Sequence, residues 1–300
     1  MGVMMLYLFS RRTYDPATKK FGFNPATLTR YLQLKPLSGT KTEGAAIDPK
    51  NWVAGIVGQA ESKDILIFVH GFNTWQTDVL RRQQAITENL KKNGYKGAVI
   101  AFDWPSDGDA LRYAKDRNDA KAVAAAFLSD GVQLLQREAP GHRIHILAYS
   151  MGAFLVLRSF SVTAGDWKVG EVMFTAADIE AEWMQAGSWG ALVMERRCDR
   201  LQNYFNTSDD VLSLSQSFIN GSERAGRHGL PAERPKNFFN VYCTDRYKAN
   251  YPQASDKLSH GWYFEDARYY KDLALTLSGM PVKDMGTRAP TDTGGQALKK

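Results

Sequence analysis

Cysteine is nearly missing from this chain: Cys198 and Cys243 are the two present, far apart and without metal-ligand spacing. That excludes a disulfide framework and a zinc site, and leaves two free thiols expected to be buried. Long apolar runs are missing too. No segment is long and hydrophobic enough to span a bilayer, so no stable membrane insertion is expected. The opening MGVMMLYLFSRR is apolar but short, with no basic residues ahead of it and no small-residue cleavage pattern behind it. It reads as a first strand rather than a leader. Leu6 stands where a myristoylation signal requires Ser or Thr. A soluble cytoplasmic protein is the expectation.

Runs of one charge sign are also absent. Net charge is +6, yet stretches such as KDRNDAK and SERAGRHGLPAERPK mix both signs, which speaks against a nucleic-acid groove. There is neither a P-loop nor a dinucleotide glycine fingerprint, and no cluster at metal-ligand spacing. No cofactor and no metal are expected.

What is present is enough apolar material for one large domain: 300 residues, 44% hydrophobic and 12% aromatic. Short apolar runs at 3–9, 65–69, 98–102, 144–148, 172–175, 202–206 and 239–243 alternate with helical patterns. That alternation predicts an α/β fold with a mostly parallel central sheet. Asp48-Pro49 predicts a helix start, and apolar residues at helical spacing predict further helices over 116–136 and 264–277. Residues 1–279 are expected to form a single domain. Residues 280–300 hold too little hydrophobic content to pack and are expected to be a disordered tail.

Ser150, in HILAYSMGAFLVL, stands where an apolar strand ends and an apolar helix begins. Beyond the C-terminal ends of parallel strands is where ligands gather. A sharp turn there needs small residues two before and two after the serine, and these are Ala148 and Gly152. A serine so placed is a candidate nucleophile; a serine that merely caps the helix is the alternative. On its own the motif fits either, its usual first glycine being alanine. The segment ILIFVHGFNT is a second buried strand ending in a tight turn, whose Phe72 N–H could join that of Met151 as an oxyanion hole. His70, ahead of the serine in the chain, reads as a residue that bonds this loop.

A serine nucleophile needs a base, normally a histidine held by a carboxylate. Of five histidines, His142 and His145 belong to a strand or its approach, and His228 to a glycine-rich loop. His260, in a loop before the last helix, is left as the base. For the acid, Asp178, Asp209 and Asp210 all satisfy the order Ser, Asp, His. Asp209 is favoured, since Val211 and Leu212 look like the anchor of a loop that turns it inward and Asp210 away. Asp178 reads as a strand-end carboxylate bonding backbone N–H groups.

The motifs FVHGFNT, FDWPSDG, LAYSMG, AADIE, NTSDDVL and SHGWYF, spread over roughly two hundred residues, give the sequence a resemblance to the α/β-hydrolase superfamily of serine esterases and lipases. More closely, it resembles a bacterial family of α/β hydrolases of uncharacterised function. The resemblance implies a catalytic triad of Ser150, Asp209 and His260, with Phe72 and Met151 as backbone donors. The implied activity is carboxylic-ester hydrolysis through an acyl-enzyme on a small-molecule acyl ester. An acyltransferase using the same intermediate, or a non-catalytic ligand-binding protein, are the alternatives. Pocket candidates are His70, Gly71, Tyr149, Asp178, Trp183 and Arg224. Residues 181–200 could form a cap or else a helix covering the sheet. The insertion 213–237 carries Arg224 and Arg227, and arginines in such loops are most often solvated.

Overall fold

In a computed structural model, the structure describes residues 4–39, 43–106, 112–162, 164–218, 221–252, 255–292 and 295–300. Eleven strands are found among them: β1 (Leu6–Asp15), β2 (Lys20–Leu34), β3 (Gly44–Ala46), β4 (Asp64–Val69), β5 (Ala98–Asp103), β6 (Arg143–Tyr149), β7 (Val169–Thr175), β8 (Cys198–Phe205), β9 (Phe238–Tyr242), β10 (Arg288–Pro290) and β11 (Gln296–Leu298). The α-helices are α1 (Pro49–Gln59), α2 (Gln76–Lys92), α3 (Tyr113–Ala126), α4 (Gln133–Glu138), α5 (Met151–Ser161), α6 (Trp189–Arg197), α7 (Asp210–Phe218), α8 (Ala225–His228), α9 (Thr244–Asn250), α10 (Asp256–Gly261) and α11 (Ala267–Leu277).

All the strands join one sheet, in the order β10-β11-β9-β8-β7-β6-β4-β5-β1-β2-β3. From β9 to β1 every neighbouring pair is parallel. Parallel strands covered on both faces read as unbroken apolar runs, and in β4 the alternation divides two cores. Ile65, Ile67 and Val69 pack with α1, α3, α4, α5 and α6. Leu66 and Phe68 pack with α2, α9 and α11. The chain runs from β4 outward to β5 and then crosses to β6 on the other side of β4. Strand order therefore reverses between β4 and β6, which makes their C-terminal ends a switch point where a crevice opens. Val69 pairs with Ala148, so both strands end level, at His70 and Tyr149.

The expected strand from Val3 begins at Leu6 and runs on to Asp15, pairing antiparallel with β2; Val3 itself lies outside the described residues. The expected helix over 116–136 is α3 and α4 joined through a π-helical turn, Phe127–Val132. There Gly131 lies against the ring of Phe9, where a Cβ would come within 2.4 Å of it. Tyr31 Oη donates to the carbonyl of Asp130 (2.9 Å), docking β2 on the turn.

One expectation is corrected. The segment 280–300 is not a disordered tail: β11 joins the sheet parallel to β9 and β10 pairs with it. It packs through a buried ion pair rather than an apolar run, Arg288 Nη2 lying 2.6 Å from Asp272 Oδ1 with both side chains fully buried. For 181–200, left open between a cap and a helix covering the sheet, the structure has the helix. Its helix α6 is the crossover between β7 and β8, with Ala191 and Met194 buried against the sheet, and Cys198–Arg200 already belong to β8. Cys198 and Cys243 are free and buried.

Candidate active site

Ser150 occupies the corner between β6 and α5 with φ 54° and ψ −124°, a left-handed backbone that side chains other than glycine rarely adopt. A helix-capping serine has extended backbone and accepts an N–H from the first turn. Ser150 has neither feature, since its side chain makes no cap hydrogen bond. The corner is braced on both sides: Ser150 N–H donates to the Thr175 carbonyl (3.0 Å), and its own carbonyl accepts from Asp178 N–H (3.1 Å). Ala148 is fully buried. The closest restriction falls on Gly152, where a Cβ would lie 2.6 Å from the carbonyl oxygens of Val69 and His70. The tight approach is thus to the end of β4 rather than across the serine turn itself.

The HGFNT turn lies against this corner. A Cβ at Gly71 would come 2.8 Å from Ser150 Cβ. The carbonyl of Gly71 is held by His70 Nδ1 (2.8 Å) and by Thr74 Oγ1 (3.0 Å). Carbonyl and N–H of one trans peptide point in opposite directions. The N–H of Phe72 is therefore turned away from those donors. Met151 opens α5, so its N–H has no partner within the helix.

His70 is buried and its ring is sandwiched flat on Trp104 (5.1 Å between centroids). Its Nε2 accepts the Trp104 backbone N–H (3.2 Å), which leaves Nδ1 as the donor to Gly71. Burial, with the charge of Arg12 added, pulls its pKa down to about 4. The ring is neutral and both its nitrogens are occupied, as suits a residue that bonds the loop.

On the other side, Asp209 and His260 meet. His260 Nδ1 is 2.7 Å from Asp209 Oδ2, and Asp209 Oδ1 accepts Leu212 N–H (2.9 Å). Leu212 is buried and Asp210 is exposed. Ser259 ties the two segments together: its Oγ accepts Asp210 N–H (3.1 Å) and its carbonyl accepts Asn206 Nδ2 (3.1 Å). His260 lies in the short helix α10, not in a loop. Its ring rests on that of Tyr149 (4.9 Å), which in turn packs edge-on against Phe264 (5.2 Å).

Asp178 is placed differently. Both its oxygens are taken, Oδ2 by Tyr113 Oη (2.6 Å) and Oδ1 by Ser215 Oγ (2.7 Å). Burial and the neighbouring carboxylate push the Tyr113 phenol well above its usual range. Tyr113 also packs edge-on against Phe72 (5.6 Å). Arg224, named as a pocket candidate although arginines in such loops are most often solvated, is fully buried with Nε 3.8 Å from Asp178 Oδ1. Trp183 packs on Trp189 (5.2 Å) and Phe154 (6.3 Å) alongside α5. Sequence reasoning passed over Tyr113, Ser215, Arg12 and Asp103. Arg12 closes the opening stretch read as a first strand, and Asp103 lies in the motif FDWPSDG, of which Asp107 and Gly108 fall outside the described residues. Among the described residues, no group of three or more His, Cys, Asp or Glu could hold a metal ion. No helix among them is long and apolar enough to cross a membrane.

A parallel sheet reversing its order at β4 and β6, with a serine corner at the reversal, defines an alpha/beta hydrolase. Within that class, the chain belongs to the family described as "Alpha/beta hydrolase of unknown function (DUF900)", which matches residues 45–276. An uncharacterized protein of Nostoc sp., alr1448, is 36% identical over 59 residues. The match spans 20% of this chain and only 15% of the length of that relative. Among solved structures, an acetylxylan esterase is similar at 12% identity and a TM-score of 0.39, over 72% of this chain and 97% of its own. A putative hydrolase from Agrobacterium vitis S4 is similar at 9% identity and a TM-score of 0.40, over 85% and 96%. The esterase PF2001 of Pyrococcus furiosus is similar at 17% identity and a TM-score of 0.36, over 77% and 82%.

Proposed function

We propose that the protein is a serine hydrolase of carboxylic esters, acting through an acyl-enzyme on Ser150 with His260 as base and Asp209 as the acid that orients it. The observation that carries this reading is the 2.7 Å contact between His260 Nδ1 and Asp209 Oδ2. It fixes the proton on Nδ1 and leaves Nε2 as the lone-pair nitrogen, the form that can accept a serine proton. In the first half-reaction, Ser150 Oγ attacks the ester carbonyl carbon and its proton passes to His260 Nε2. The carbonyl π electrons move to oxygen, and the N–H groups of Phe72 and Met151 receive that charge. The carbonyl re-forms as the alkoxide leaves, taking the proton from His260. Water then repeats the sequence on the acyl-serine, its proton going to His260 and on to Ser150 Oγ as the acid departs.

The experiment is covalent labelling by a fluorophosphonate together with turnover of a short activated ester. Labelling is expected at Ser150 and is abolished in Ser150→Ala. Asp209→Asn is expected to lower kcat by about 10³ to 10⁴, because the amide favours the wrong tautomer and loses the charge opposite imidazolium. Asp210→Asn should leave kcat unchanged. Asp178→Asn should act mainly on stability, by about 1 to 3 kcal/mol for a disturbed buried hydrogen bond. An adduct on another serine sinks the nucleophile, and a large kcat loss confined to Asp178→Asn moves the acid to the segment after β7.

A further inference from the structure

Arg12, near the end of β1 and outside the stretch matched by the family, is only 2% exposed, and its guanidinium is engaged on every side. Nε lies 2.6 Å from Asp103 Oδ1. Nη1 donates to the Ser106 carbonyl (3.0 Å) and Nη2 to the Thr74 carbonyl (2.7 Å). Asp103 is held in turn by Ser10 Oγ (2.8 Å) and Gln76 Nε2 (2.9 Å). Thr74 is the residue on which the HGFNT turn closes. Its Oγ1 reaches the carbonyls of Gly71 (3.0 Å) and Phe72 (3.1 Å), and its N–H reaches Ser106 Oγ (3.3 Å).

We propose that Arg12 is a positioning residue for the oxyanion hole, acting through Thr74 to fix the plane of the Gly71–Phe72 peptide. This rests on the reading of Phe72 N–H as an oxyanion donor. A guanidinium suits the task because its planar fork spans a carboxylate and two carbonyls at once in one geometry, which a lysine ammonium on a flexible stem does not. Arg12 anchors the Thr74 carbonyl, and Thr74 holds the Gly71 carbonyl, whose direction sets that of the Phe72 N–H. Loosening the anchor leaves that carbonyl held by His70 Nδ1 alone, which lets the peptide tilt about the remaining bond. Substrate binding is little affected, since the donor matters most when charge develops on the carbonyl oxygen.

The test uses Arg12→Lys and Arg12→Ala, with Ser106→Ala as a milder variant that keeps the Arg12–Asp103 pair. Folded fraction is measured for each, then kcat and KM for an activated ester and the rate of fluorophosphonate labelling. Complete loss of one oxyanion donor costs about 10²- to 10³-fold in kcat, so a misaimed donor is expected to cost about 10- to 100-fold, with KM within about twofold. Labelling should slow in parallel, and free guanidinium at millimolar concentration should restore part of the rate to Arg12→Ala. Ser106→Ala should show a smaller loss of the same kind. Unchanged kcat per folded molecule overturns the proposal, as does a loss that tracks the folded fraction alone. If Arg12→Lys and Arg12→Ala do not fold, unchanged kcat in Thr74→Val, which loses the hydroxyl on the Gly71 carbonyl, overturns it. A wild-type protein that neither labels at Ser150 nor hydrolyses esters defeats the underlying reading instead.

Discussion

A buried neutral histidine makes folding depend on acidity, and His70 is one. Its pKa falls to about 4 in the folded protein from an ordinary 6.5, because burial penalises the imidazolium and the charge of Arg12 opposes it further. In the unfolded chain the ring takes up a proton below about 6.5, whereas in the folded chain it stays neutral down to about 4. The unfolded state therefore binds more protons across that window, and stability rises with pH through it. On acidification from pH 7 to 4 this residue should remove up to about 3 kcal/mol. Urea unfolding of the wild type and of His70→Asn at each pH checks it: the variant should lose less stability over the same interval, and parallel curves would contradict the assignment. Much of the candidate site was legible at this scale. Ser150 stands out where an apolar strand meets an apolar helix, His260 is what remains of five histidines, and Asp209 is favoured by the apolar pair Val211 and Leu212 after it, since chain order alone also admits Asp178 and Asp210. Arg12 and Tyr113 do not stand out, because an arginine at the polar end of a strand and a tyrosine at a helix start look like surface residues until the tertiary fold closes over them.

Among the elements, the meeting of β4, β6 and α5 is the most tightly specified. A Cβ on Gly152 would lie 2.6 Å from two backbone carbonyl oxygens, and backbone cannot swing aside as a side chain can. Gly152→Ala should push α5 away from the end of β4, costing about 1 to 3 kcal/mol as overpacking. Because β4 leads into the HGFNT turn, turnover should fall as well; thermal melting and kcat per folded molecule read the two effects separately. The parallel strands were legible because residues buried on both faces leave continuous apolar runs, whereas β2 and β3 were not. The sequence KFGFNPATLTRYLQL of β2 is half-exposed, carries Pro25 and pairs through a register shift, so no clean alternation marks it. β10 and β11, of three residues each, are too short to give a period.

At the scale of the whole molecule, the C-terminal segment is locked on by charge. Asp272 accepts Tyr204 Oη (2.6 Å), the Thr287 hydroxyl and two nitrogens of Arg288. Removing Arg288 leaves that carboxylate buried beside hydroxyls alone. Arg288→Ala should cost about 3 to 5 kcal/mol, and Arg288→Ala with Asp272→Leu less than Arg288→Ala alone, since no orphaned charge is then left behind. Denaturant midpoints of the two variants decide it, and equal or worse stability in the double variant would refute the ion-pair account. The two outermost strands of the sheet carry another consequence. An open sheet edge offers unpaired N–H and C=O groups on which a strand of another molecule can assemble, the first step towards fibrils. Here the edges are β3 and β10, three residues apiece, and β10 ends in Pro290, which has no N–H to offer. The short β3 covers only Leu32–Leu34 of the fifteen-residue β2, however, so the outer side of β2 ahead of Leu32, interrupted by Pro25, is where a strand of another molecule would find backbone to pair with.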